Sequence, residues 1–144
     1  MWLIYATTAS MLWGLSYTLY EQVYRYTSIY TTIAVNTFVI SLIFFFLSWY
    51  KGVWREDATA IMTSPKVLTL FTASIIVFAL AELFIALSIT AKNATLAGLI
   101  EISYPLFIAL FTFLLFREVA LNAGIALGGA VIFVGVAIVF WFSN

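Results

Sequence analysis

Five long apolar stretches constrain this chain more than any other feature of its sequence. A helix that crosses the hydrocarbon core of a bilayer needs about 20 mostly apolar residues. Stretches of this kind occupy residues 2–20, 29–50, 67–91, 94–116 and 119–142. They are continuous runs, without the alternation of apolar and polar residues that a β-barrel wall requires. We therefore predict an all-α integral membrane protein, a bundle of five transmembrane helices in one membrane domain over residues 1–144.

The composition argues against several other classes of protein. Only 8% of the residues are charged, whereas soluble domains carry about 25%. The formal net charge is zero, which gives no electrostatic reason to expect a nucleic-acid partner. The chain has no cysteine and no histidine, so the commonest nucleophiles, general bases and metal ligands are missing. We expect no enzyme, no cofactor and no bound metal.

The charged residues of the connections predict an orientation in the membrane. Five spans place the two termini on opposite sides. The side of the N-terminus then receives four cations, Lys51, Arg55, Lys66 and Arg117, and the other side receives Arg25 and Lys92. The positive-inside rule favours a cytoplasmic N-terminus in a prokaryotic inner or plasma membrane. The excess is small, so it leaves open a chain that inserts in both orientations.

Glu82 and Glu101 are the acidic residues that fall well inside apolar stretches. A charged side chain at the centre of a bilayer costs on the order of 3 kcal/mol. Counted from the polar turn at Lys92, both residues lie roughly 13–16 Å below the same membrane face, near the midplane of the core. We predict that they bind substrate or protons. The alternative is a protonated carboxyl group that only hydrogen-bonds a neighbouring helix.

Pro105 and several aromatic residues accompany Glu101. A proline within a helix has no N–H for the carbonyl four residues earlier, here that of Glu101, and interrupted helices often hold transporter sites. Trp13 and Tyr17 are four residues apart and share a helix face, and Tyr104 lies one turn from Glu101. We predict an aromatic cavity that accepts an organic cation through its π faces. The alternative is a set of ordinary lipid-facing aromatics.

Small residues recur along the last apolar stretch with the spacing of close helix packing. They are Ala120, Gly124, Gly128 and Gly135. This stripe predicts a dimerisation surface, with packing inside one chain as the alternative.

Two further carboxylates have plainer interpretations. Glu118 is expected to stabilise the N-terminus of the last helix, and Glu21, near the end of the first helix, is expected to be solvated.

The order of motifs along the chain resembles a known transporter repeat. Residues 94–136 read ATLAGLIEISYPLFIALFTFLLFREVALNAGIALGGAVIFVGV, and residues 12–16 read LWGLS. The positions that carry the likeness are Trp13, Gly14, Pro105, Glu118, Gly128, Gly129, Gly135 and Val136. This pattern resembles the EamA-type repeat of the drug/metabolite transporter superfamily. Most members hold two such repeats, whereas this chain holds one.

The resemblance implies an exporter or exchanger of metabolites, amphiphilic or aromatic cations, or amino acids. A single repeat has few helices to enclose a pathway, so we predict a homodimer in membrane lipid, antiparallel or parallel. The intramembrane glutamates would couple transport to protons. The four-helix small multidrug resistance proteins use a glutamate in the first helix, which is missing at the middle of residues 2–20. Alternative functions are a lipid-carrier flippase subunit and a non-transporting membrane scaffold.

Overall fold

The computed structural model describes residues 1–118 and 122–142, and the regular structure in these ranges is helical. The elements are α1 (Trp2–Val23), α2 (Ile29–Tyr50), α3 (Trp54–Thr63), α4 (Pro65–Ala91), α5 (Ala94–Glu101), α6 (Tyr104–Phe111), a π-helical segment (Thr112–Phe116) and α7 (Ala123–Phe142). The chain divides into two compact units. The first unit comprises Met1–Glu21 and Ser88–Asn144, and the second comprises Gln22–Leu87.

Four described stretches are long and apolar enough to cross a membrane. They are Ile29–Tyr50, Pro65–Ala91, Ala94–Phe116 and Ala123–Phe142. The structure thus confirms the all-α class and contains four candidate membrane-spanning stretches where five spans were predicted. α1 is a helix of 22 residues, but it is not among the four, because its serine, threonine and tyrosine side chains make it less apolar than α2, α4 and α7.

The second unit contains a short helix that the sequence analysis did not predict. α3 lies in the connection between the second and third predicted spans, and its ten residues include Arg55, Glu56 and Asp57. Because these residues are charged, α3 does not stand out as an apolar run in the sequence. Its first residue, Trp54, packs edge-on against Phe45 of α2, with ring centroids 4.7 Å apart. α3 therefore begins with an aromatic contact to α2 and presents its charged residues as exposed side chains.

The fourth predicted span is interrupted in the first unit. α5 ends at Glu101, and α6 begins at Tyr104 with Pro105 in its first turn. Pro105 has no N–H to donate to the carbonyl of Glu101, so the regular helix is broken just before the proline. The chain turns there through a bond from Leu106 N–H to the Ser103 carbonyl, 3.0 Å long. The break places Glu101 at the last position of a short helix.

Arg117 ends the π-helical segment that follows α6. Its φ angle is 60°, in the left-handed region that terminates many helices. Its N–H donates to the carbonyl of Phe113 at 3.0 Å, and its guanidinium carbon lies 5.8 Å from the centroid of the Phe113 ring. A cation over an aromatic face is a favourable arrangement. Arg117 is thus held at the end of the fourth predicted span.

The last helix begins later than predicted. α7 starts at Ala123, and Asn122 caps it by accepting the N–H of Ile125 on Oδ1 at 2.9 Å. The interpretation of Glu118 as the stabilising carboxylate of this N-terminus is therefore wrong, because the cap is an amide four residues further along. Residues 119–121, which include Ala120 of the predicted stripe, lie outside the described residues.

Asn93 defines the start of α5, the eight-residue helix of the first unit. Its side-chain Oδ1 accepts the N–H of Leu96 at 2.8 Å. Helices this short are unstable by themselves, so their ends depend on caps and tertiary contacts. The cap therefore contributes directly to the stability of the segment that carries Glu101.

Replacing Asn93 with alanine should lower the free energy of unfolding by about 1 kcal/mol, because the Leu96 N–H loses its partner. Serine at the same position can still accept this bond and should restore most of the loss. Unfolding of the purified chain in mixed micelles, followed by circular dichroism, measures both variants. Equal stability of the alanine, serine and unsubstituted chains would contradict the assigned cap.

Candidate functional site

Two hydrogen bonds join α1 to α5 in the first unit. The Tyr17 hydroxyl donates to Glu101 Oε1 at 2.9 Å, and the Ala94 N–H donates to Glu21 Oε2 at 2.8 Å. Tyr17 and Glu21 are four residues apart and share one face of α1. The later residue on α1 meets the earlier residue on α5, so the two helices run antiparallel at this contact. We name this pair of bonds and the residues between them the α1–α5 contact.

Small residues on α5 let the Tyr17 ring approach the helix. A Cβ placed on Gly98 would lie 3.6 Å from Cδ2 of Tyr17, which is ordinary van der Waals distance. Ala94 is 8% exposed and Ala97 is 4% exposed. A large side chain at position 98 would displace the tyrosine ring from α5. Gly98 therefore helps to place the Tyr17 hydroxyl beside Glu101.

A second aromatic ring extends the site along α1. The rings of Trp13 and Tyr17 are tilted by 55° with centroids 5.7 Å apart. Trp13 is 49% exposed, while Tyr17 and Glu101 are half-buried. An indole face and a carboxyl group at one place on a helix surface can both attract a cation. About half of the Trp13 side chain is exposed beside this pair.

The carboxyl group of Glu101 can accept more than the bond from Tyr17. An ionised carboxylate offers two oxygens with about four lone-pair directions. A protonated carboxyl group instead offers one O–H donor and keeps some acceptor capacity. The tyrosine hydroxyl can donate to either form. The site can therefore hold a proton or a cationic group on Glu101 without losing the contact between α1 and α5.

Comparison with known proteins connects this geometry to a family. The sequence model of the EamA-like transporter family matches residues 1–141. The chain belongs to the EamA-like transporter family. The resemblance noted in the sequence is thus confirmed over nearly the whole chain, and this EamA-like protein is an integral membrane protein of the drug/metabolite transporter type. No curated protein and no solved structure matches the chain.

The predicted site residues of this EamA-like chain fall in different places. Trp13, Tyr17 and Glu101 come together at the α1–α5 contact. Tyr104 is the first residue of α6, directly after the helix break, and is 57% exposed. Glu82 lies on α4 in the second unit and is half-buried.

The glycines of α7 separate into two groups. A methyl group on Gly128 or Gly135 would meet no described atom beyond its own helix backbone and chain neighbours within 4 Å. On Gly124 it would meet Oδ1 of Asn122 at 3.4 Å. On Gly129, which is buried, it would overlap Cδ2 of Leu106 on α6. Gly129 is therefore the glycine that makes the close approach inside the chain, although the sequence analysis gave it no packing role.

Glu21 is the site residue that sequence reasoning missed. Its interpretation as a solvated carboxylate is wrong, because Oε2 accepts the N–H of Ala94 and the side chain is half-buried. The one signal in the sequence is its spacing of four residues from Tyr17, which places both on one helix face. That spacing shows which face they share but does not show that α5 lies beside it.

Proposed function

We propose that this EamA-like chain exchanges small amphiphilic or aromatic cations for protons across the cell membrane, and that Glu101 binds both. The observation that carries the proposal is the hydrogen bond from Tyr17 to Glu101, with the Trp13 ring tilted against the Tyr17 ring. The carboxyl group supplies the charge, and the rings supply π faces for an organic cation. Amino acids are a second candidate substrate set, since their ammonium group is a cation that a carboxylate can bind.

Competition for one carboxyl group provides the coupling. In a low-dielectric environment the charged form of a carboxyl group is disfavoured unless a cation or a proton compensates it. A cation that binds to Glu101 displaces the proton, and a proton that returns displaces the cation. The Tyr17 hydroxyl remains a donor in both states, so the site keeps its geometry through the cycle. Because proton and cation exclude each other, their fluxes run in opposite directions.

Glu82 is the second carboxyl group of the proposed pathway. It lies within α4, ten residues before Lys92, in a helix that is long and apolar enough to span the membrane. An ionisable residue inside such a helix usually faces a cavity or the interior of a bundle. Its half-buried side chain is consistent with that position. We assign Glu82 a proton- or substrate-binding role. Tyr104, the first residue after the helix break that follows Glu101, is proposed as a further aromatic residue of the site in the first unit.

α1 is proposed as the fifth span. Its Tyr17 bonds to Glu101 within the candidate span Ala94–Phe116, so α1 accompanies that helix at membrane depth. The charge bias of the connections then supports a cytoplasmic N-terminus. The chain is proposed to work as a homodimer through the α7 surface that carries Gly124, Gly128 and Gly135, of which Gly128 and Gly135 are open. Parallel and antiparallel arrangements are both compatible with this surface.

Transport by the purified chain in lipid vesicles tests the proposed function. A pH gradient across the vesicle membrane should drive accumulation of methyl viologen, a permanently charged aromatic cation, above the level in protein-free vesicles. Collapse of the gradient with a protonophore should remove the accumulation. Amino acids serve as a second substrate set in the same assay. If neither set moves faster than in protein-free vesicles, the proposal is wrong.

A further inference from the structure

Glu21 of α1 contacts the start of α5, and Glu101 is the last residue of α5. Both points lie on the same side of α5. Ala94, which donates to Glu21, precedes Glu101 by seven residues, close to two full helical turns. Both ends of α5 are therefore attached to α1, one through the backbone at the start of the helix and one through the side chain at its end. The two attachments are made by residues of α1 that are one turn apart.

These two attachments determine the position of α5, because the helix is broken directly after Glu101. α5 has eight residues, and the regular helix ends at Glu101 and resumes at Tyr104. A short helix with an interruption at one end is positioned mainly by its contacts. Of the N–H groups in its first turn, that of Leu96 is bonded to Asn93 and that of Ala94 is bonded to Glu21. Asn93 is local to α5, whereas the bond to Glu21 ties this end of α5 to α1.

We infer that Glu21 is a positioning residue, which holds the start of α5 against α1 and so sets the register in which Tyr17 reaches Glu101. A carboxylate also suits this place, because the N-terminus of a helix carries partial positive charge. Loss of the bond to Ala94 releases the start of α5, and the rigid helix carries the displacement to Glu101 at its other end. The inference rests on the proposed role of Glu101 in cation binding.

Binding of tetraphenylphosphonium to the purified full chain in detergent, measured by calorimetry, tests the inference. We expect Glu21→Ala to weaken binding about fivefold, the factor that corresponds to one net hydrogen bond. Glu21→Gln keeps an oxygen that can accept the Ala94 N–H and should bind within about twofold of the unsubstituted chain. Glu56→Ala removes an exposed carboxylate from the first turn of α3 and should leave binding unchanged.

A double-mutant comparison separates positioning from stability alone. In Tyr17→Phe the hydroxyl that donates to Glu101 is already absent, so the register of α1 and α5 no longer affects this bond. Adding Glu21→Ala to this variant should therefore change the dissociation constant of tetraphenylphosphonium less than twofold. If the two effects multiply, Glu21 acts independently of Tyr17 and the inference is overturned. The inference is also overturned if Glu21→Ala lowers the melting temperature but leaves binding unchanged at temperatures well below the melting temperature. Glu21 would then have only a structural role. If Glu21→Ala does not fold, Glu21→Asp provides the comparison, because its shorter side chain draws the oxygen away from Ala94.

The failure of this inference differs from the failure of the proposed function. Unchanged binding in Glu101→Gln overturns the role of Glu101, and with it the function on which the inference rests. Weakened binding in Glu101→Gln together with unchanged binding in Glu21→Ala overturns the positioning role alone.

Discussion

Substitution of Glu101 by glutamine is expected to abolish proton-coupled cation transport while the chain still folds. Glutamine has nearly the same shape and keeps an oxygen that accepts the hydroxyl of Tyr17, so the α1–α5 contact survives. It carries no charge and binds no proton at ordinary pH. Two unit charges about 4 Å apart attract each other by about 4 kcal/mol at the effective dielectric constant of a protein surface, and desolvation offsets part of this, so cation affinity should fall by roughly 10- to 100-fold.

Vesicle transport and calorimetric binding, done on the same preparation, measure this effect. The matched control is Glu56→Gln, which removes one carboxylate from an exposed position on α3 and should transport normally. Retained pH-driven transport in Glu101→Gln would rule out this carboxyl group as the coupling site. The same experiment on Glu82→Gln tests the second proposed carboxyl group, and unchanged flux in both variants would favour a role for the glutamates in helix packing.

Leucine at two adjacent glycines of α7 should give two different defects. At Gly129 the new side chain overlaps Leu106, so the fold of the first unit should lose about 1–3 kcal/mol, the usual cost of overpacking. At Gly128 an added Cβ would have no neighbour within 4 Å, so the stability of the monomer should be nearly unchanged. If the dimer uses this surface, Gly128→Leu should raise the dissociation constant of the dimer at least about tenfold, because bulky residues prevent close helix approach.

Unfolding in mixed micelles and single-molecule counting of labelled chains in vesicles distinguish the two defects. Ala130→Leu is the control, since this small residue is exposed and points away from Gly128 by about 160° around the helix. A normal dimer in Gly128→Leu would exclude this surface as the interface. Equal stability of the Gly128 and Gly129 variants would contradict the packing of Leu106 against α7.

The candidate site could be predicted only in part, and its residues show why. The spacing of Trp13 and Tyr17 is sufficient to place them on one helix face, because helix geometry is local. The depth of Glu101 in an apolar run is likewise sufficient to single it out, because a carboxyl group there is costly. Neither fact pairs Tyr17 with Glu101, which are 84 residues apart in the chain. That pairing depends on which helix lies beside which.

Glu21 and Gly129 were misjudged for the same reason. A glutamate near a helix end looks like an ordinary solvated residue until a neighbouring helix presents an N–H that it can accept. Adjacent glycines look equivalent in sequence, yet they point about 100° apart around α7, so one meets Leu106 and the other does not. The short α3 was missed on different grounds, because its three charged residues interrupt any apolar run.

The amino-acid sequence alone was enough to predict the membrane class, to locate the four candidate spans and to indicate the transporter family. The membrane class and the apolar stretches follow from the length and composition of continuous segments, which a bilayer selects one helix at a time. The family is indicated by the order of motifs along the chain and is shown by the match to the family model over residues 1–141. Tertiary structure was needed to show that α5 ends at Glu101, that Tyr17 donates to it and that Glu21 holds the other end of the same helix. Such contacts join residues far apart in sequence, and they depend on the faces through which helices pack, which the pattern within each helix leaves undetermined.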